Sequence, residues 1–101
     1  MKDQDSFEEA RLLLRKTLPV ARRVLGESNR ITLTMRKIYA EALYDDDSST
    51  PDDFREAVAT LAEIERTARR VFGGTHPLTE GFGHNLSEAR GALRARERPD
   101  A

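Results

Sequence analysis

Shifted by 47 positions, the chain matches itself. Asp5, Phe7, Glu9 and Ala10 fall on Asp52, Phe54, Glu56 and Ala57, and Leu14 falls on Leu61. Ala21-Arg22-Arg23-Val24 and Gly26 fall on Ala68-Arg69-Arg70-Val71 and Gly73. Thr32 falls on Thr79, and Glu41-Ala42 on Glu88-Ala89. About one position in three between 5 and 43 is identical, several times what unrelated segments share. An internal period of this length marks stacked supersecondary units, because one unit alone cannot bury its hydrophobic face. The two halves must therefore take the same local structure and pack on each other.

Each unit reads as two helices. The first helix is expected from about Ser6 to Leu25, since Phe7, Ala10, Leu14, Leu18, Ala21 and Leu25 recur at helical spacing. Gly26 follows where a left-handed cap is wanted, and Arg22 and Arg23 complement the dipole of the last turn. A second helix, Arg30 to Tyr44, would turn Ile31, Met35, Ile38, Tyr39 and Ala42 inward behind an Asn29 cap. The polar run from Asp45 to Thr50 reads as an exposed loop, and Pro51 sits where a helix tolerates proline. The third helix is expected from about Asp52 to Phe72, with Phe54, Ala57, Leu61, Ile64, Ala68, Val71 and Phe72 as its stripe. Gly73-Gly74 ends it, and Thr75-His76-Pro77 opens a fourth helix with Leu78, Phe82, Leu86, Ala89 and Leu93 inward. From Arg94 onward the chain is charged and expected to fray, with Pro99 blocking extension.

Two features resist this pattern. Pro19 removes a hydrogen bond inside the first helix and predicts a kink near Arg15 to Leu18, or two shorter helices. Gly81, Gly83 and Gly91 each weaken the fourth helix by about 1 kcal/mol relative to Ala. They are either tolerated or they admit a close neighbour.

Composition narrows the function. A chain of 101 residues is one domain, 1–101, with units 5–44 and 52–93 joined by a loop at 45–51. Hydrophobic residues at 38% and charged residues at 35% specify a globular chain with a heavily solvated surface. The net charge of −1 lacks the basic excess that nucleic acid or an anionic membrane selects. Without cysteine there is no disulfide, thiolate metal site or thiol nucleophile. No apolar run has the length of a membrane span or a signal segment, and a cytoplasmic setting is expected.

The motifs resemble a known family. Phe54-x-Glu56-Ala57, Ala68-Arg69-Arg70-Val71-Phe72-Gly73, His76-Pro77-Leu78-Thr79 and His84-Asn85-Leu86-Ser87 together are similar to the tetratricopeptide repeat of the kinesin light chain type. In the first unit Asn29-Arg30 stands for the His-Pro start and Lys37-Ile38-Tyr39-Ala40 for the Asn-Asn-Leu-Ala core. The period is longer than the family's, and the extra residues fit the loop from Asp45 to Thr50. The resemblance implies an all-α fold of four antiparallel helices, two helix-turn-helix units stacked as a short solenoid. In the family's register the chain starts mid-repeat, so it is either part of a longer array or a self-associating element.

The resemblance also implies a protein-binding module with a groove lined by the second and fourth helices. The corresponding positions are Thr34, Lys37, Glu41 and Tyr44, then Gly81, His84, Asn85 and Glu88. The alternative is homo-oligomerisation through exposed apolar faces. His76, Glu80, His84 and Glu88 recur every four residues, as metal ligands on a helix do, but no cysteine or further group to orient the imidazoles accompanies them, and they read as a solvated stripe. Asp45-Asp46-Asp47 with Asp52-Asp53 lacks the turn glycine and closing glutamate of a calcium loop. The arginine pairs 22–23 and 69–70 read as helix-end surface. His76 and His84 are the candidate imidazole bases, and no nucleophile is arranged with either, so neither catalysis nor a cofactor is expected.

Overall fold

Apart from the start of the first helix and the end of the last, each helix end lies where a side chain or a glycine takes up backbone groups that the helix itself cannot satisfy. A computed structural model describes residues 2–45 and 48–97, with side chains from Ser6 onward. It contains four helices, α1 (Lys2–Leu25), α2 (Arg30–Tyr44), α3 (Pro51–Phe72) and α4 (Pro77–Glu97), and no strand among the described residues.

The punctuation repeats with the sequence. Gly26 and Gly73 have φ of 96° and 100°, which only glycine adopts cheaply. Their N–H groups donate to the carbonyls of Arg22 at 3.0 Å and Arg69 at 3.1 Å. The Asn29 side chain accepts from the Ile31 amide at 2.8 Å, and His76 Nδ1 accepts from the Leu78 amide at 3.0 Å. Thr32 and Thr79 are both buried, donating to the carbonyls of Ala21 and Gly73 respectively. α3 opens with a capping box between Thr50 and Asp53, with Pro51 in its first turn.

The core joins Leu14 and Leu18 of α1, Leu33, Tyr39, Ala40 and Leu43 of α2, Ala57, Leu61, Ile64 and Ala68 of α3, and Phe82, Leu86 and Ala89 of α4. α2 packs on both α1 and α3, α3 packs most extensively on α4, and α2 touches α4 lightly. α1 has no close backbone approach to α3. Side chains report the order of contact: Ala21 with Thr32, Arg15 with Tyr39, Arg36 with Glu63, Tyr39 with Glu56, and Arg55 with Glu97.

Several expectations change. α1 begins at Lys2 and runs unbroken through Pro19 as one helix. Arg15 and Pro19 are both exposed, so water can take up the carbonyl that proline leaves without a donor. Ile31 and Ile38 are exposed, whereas Thr32, Leu33, Arg36, Ala40 and Leu43 are buried, because α2 has neighbours on two sides and not one. Leu25 and Val71, at the ends of their helices, are also exposed.

The loop is not uniformly exposed. Ser49 is buried and its hydroxyl donates to the Leu43 carbonyl, while Asp46 and Asp47 lie outside the described residues. α4 does not fray at Arg94 but continues to Glu97. Glu97 accepts from Arg55 at 2.8 Å, and Arg96 lies 4.6 Å over the buried Phe54 ring while donating to the Ser49 carbonyl at 2.8 Å. Pro99 lies outside the described residues. A Cβ at Gly81 or Gly91 would meet nothing within 4 Å, and at Gly83 only Glu65 Cγ at 3.9 Å. These glycines do not serve a close neighbour.

A candidate partner-binding face on α2 and α4

Helical periodicity carries Thr34, Lys37 and Glu41 along one edge of α2, and Leu78, Gly81, Phe82 and Asn85 along the facing edge of α4. Between them lies a cleft of about 120 Å³, partly walled by Thr34, Lys37, Leu78, Gly81, Phe82 and Asn85. The buried Phe82 with Leu78 and the exposed Pro77 give it apolar surface, and Thr34, Lys37 and Asn85 give it polar groups. The absence of a side chain at Gly81 keeps it open.

Polar contacts span the two helices. Asn85 Nδ2 donates to Glu41 Oε2 at 3.2 Å, while Lys37 Nζ stands 3.8 Å from Glu41 Oε1. Tyr44 is half-buried beside them, and its hydroxyl is pushed up to about 12. Burial is the main cause, and the negative charges of Asp45, Glu41 and Glu88 add to it against a hydrogen bond with Asn85. The phenol therefore stays protonated and remains both donor and acceptor. Asp45 is likewise raised, by burial first and then by Glu88. The face is thus cationic at Lys37 and anionic at the end near Tyr44.

The structure brings seven of the eight expected positions together: Thr34, Lys37, Glu41, Tyr44, Gly81, Asn85 and Glu88, the last near enough for its charge to act on Tyr44 and Asp45. Glu88 follows Gly81 by seven residues and so lies about 20° from it around α4, whereas His84 is turned about 60° from Gly81 and about 100° from Asn85. Both are exposed, with His84 Nε2 3.4 Å from Glu88 Oε2. Leu78 and Phe82, read from sequence only as core, also line the cleft; their spacing to Gly81 and Asn85 was the available signal.

The stripe of His76, Glu80, His84 and Glu88 does not converge. His76 Nδ1 is engaged at the start of α4, its ring packs 4.9 Å from Phe72, and no metal-holding cluster occurs among the described residues. No helix is long and apolar enough to cross a membrane among the described residues. Compared with protein-family models, curated proteins and solved structures, the chain shows no match.

Proposed function

We propose that the chain is a tetratricopeptide-like helical repeat module, of the kinesin light chain kind, that binds a protein partner as an extended segment across α2 and α4. The single observation that carries this is the α2–α4 cleft, whose lining mixes apolar and polar side chains as a site for a peptide should. The solenoid reading draws support from the order of side-chain contacts. Later residues of α2 meet earlier residues of α1 and of α3, as in antiparallel pairs. The shortest dimension, 19 Å, matches two helix layers. On this reading the chain acts by binding, with no reaction of its own, no cofactor and a cytoplasmic address.

The experiment is a chemical-shift map of the isotope-labelled chain with a peptide selected against it from a random library. Shifts confined to Thr34, Lys37, Glu41, Gly81 and Asn85 support the face. Shifts confined to α1 and α3 reject it.

A second reading has its own observation. Leu13, Val20 and Val24 recur at helical spacing on α1 and are 64%, 46% and 69% exposed. In a longer array a preceding helix would cover this face; alone, a second copy of the chain would do so. A mass by light scattering that rises with concentration, and falls back to the monomer in Val20→Glu, supports self-assembly.

A further inference from the structure

α1 and α3 flank α2 without close backbone approach to each other, and the space between them is a polar trough. Its larger part, about 500 Å³, gathers Arg22 from α1, Ser28 from the following turn, Arg36 from α2, and Arg66, Thr67 and Arg70 from α3. Arg22 and Arg36 also border a second part of about 220 Å³ that runs on past Pro19 and Tyr39. Four guanidiniums in the larger part face two carboxylates, Glu27 and Glu63, on a chain whose net charge is −1.

The carboxylates are already engaged. Arg36, buried, holds Glu63 at 2.5 Å, and Arg22 lies 3.4 Å from Glu27. Arg66 and Arg70, one helical turn apart on α3, have no ion pair among the described residues. Glu63 records how far the fields overlap: its carboxyl is held below the usual range by Arg36, with Arg22 and Arg66 adding to the effect. The trough thus has surplus positive charge on a floor fixed by the buried Arg36 and its pairing with the exposed Glu63.

Its chemistry favours one kind of anion. Four guanidiniums and two hydroxyls offer more donors than the two oxygens of a carboxylate can accept. A phosphate monoester, with three terminal oxygens and a charge near −2, matches the set better. No aromatic side chain lines the larger part, so the stacking on which single-stranded nucleic acid relies is missing there. The second part, which shares Arg22 and Arg36 with the first, adds space of about 220 Å³ beside the phosphate for the flanking polypeptide.

We propose that the trough between α1 and α3 receives a phosphorylated serine or threonine of a partner polypeptide, with Arg66, Arg70 and Arg22 around the phosphate and Arg36 beneath it. It shares no lining residue with the α2–α4 cleft, so the two sites stand or fall separately.

The test is an NMR titration of the full chain at fixed ionic strength with a blocked Ala-Ala-phosphoserine-Ala-Ala peptide. Saturating shifts are expected at the Arg22, Arg66 and Arg70 side-chain N–H groups and at the Ser28 and Thr67 amides. The unphosphorylated peptide should bind about tenfold more weakly or worse. The double change Arg66→Gln and Arg70→Gln should weaken binding similarly while leaving the melt unchanged, because both side chains are exposed. Thr67→Glu, which sets a fixed carboxylate in the trough, is the second variant and should act alike. Four results would overturn the proposal: no saturating shift, shifts that survive both variants, equal binding of the peptide with aspartate for phosphoserine, or a stronger response to oligouridylate.

Discussion

Asn29 and His76 stand 47 residues apart and perform the same task at the start of α2 and of α4. Each side chain accepts the amide of the residue two further on, Ile31 at 2.8 Å and Leu78 at 3.0 Å. Each backbone carbonyl accepts from four residues on, Leu33 at 2.9 Å and Glu80 at 3.0 Å. Different side chains close the same turn, so the internal repeat persists in geometry where residue identity has been lost.

The caps are testable by exchange. Asn29→Ala and His76→Ala should each cost about 1 kcal/mol, the usual value of a lost N-cap acceptor. His76→Asn keeps an acceptor and gives up only the ring contact with Phe72, so it should cost less than His76→Ala. Denaturant melts of the three variants check this; equal loss from both His76 variants would remove the cap from the account.

The core prediction concerns Leu61, fully buried, and Leu86, nearly so. Leu61→Ala and Leu86→Ala should each destabilise the chain by about 2–5 kcal/mol. Ile38→Ala, at a position that is 42% exposed, should cost far less. Thermal or urea melts with an Ile38 loss equal to that of Leu61 would overturn the assignment of the α2 faces.

The all-α character was legible because α3 carries its buried residues on one stripe, from Phe54 through Leu61 to Ala68, and the glycines at 26 and 73 mark ends. The buried face of α2 was not legible. A single-stripe reading assumes one neighbour, and α2 has one on each side, so Leu33, Ala40 and Leu43 fall outside the stripe. Arg36 reads as surface in any sequence, and only pairing with Glu63 makes its burial tolerable. Of the cleft, Gly81 and Asn85 were legible through the family resemblance and not from spacing alone. The trough was not legible, because Arg66 and Arg70 look like solvated helix surface until the gap beside α1 brings Arg22 opposite them.

Acid should weaken the fold through Glu63. Its carboxyl is held below the ordinary value of 4.5, chiefly by the hydrogen bond and charge of Arg36. A depressed folded-state value means that the stabilisation is complete above 4.5 and is lost as pH falls through the depressed value. Glu63→Gln should therefore melt lower than the wild type near neutrality, and the two should converge in acid. Parallel melting curves at every pH would contradict the linkage.

Gly91→Ala should raise stability by about 0.5–1 kcal/mol, the usual advantage of alanine over glycine within a helix. The new methyl group would meet nothing within 4 Å, so no clash offsets the gain. The thermal midpoint checks the sign.

The most direct measurement is the affinity of the wild-type chain and of its Gly81→Leu variant for one peptide selected on the wild type. The new side chain starts in open space, so the fold tolerates it, and it fills the cleft between α2 and α4. The matched control is Lys16→Ala with Arg23→Ala, two exposed positions on α1. A partner-binding α2–α4 face predicts that Gly81→Leu lowers the affinity by about tenfold or more with a melting point no lower than the wild type's, while the control binds as the wild type does. Equal affinities for the wild type and Gly81→Leu would contradict it.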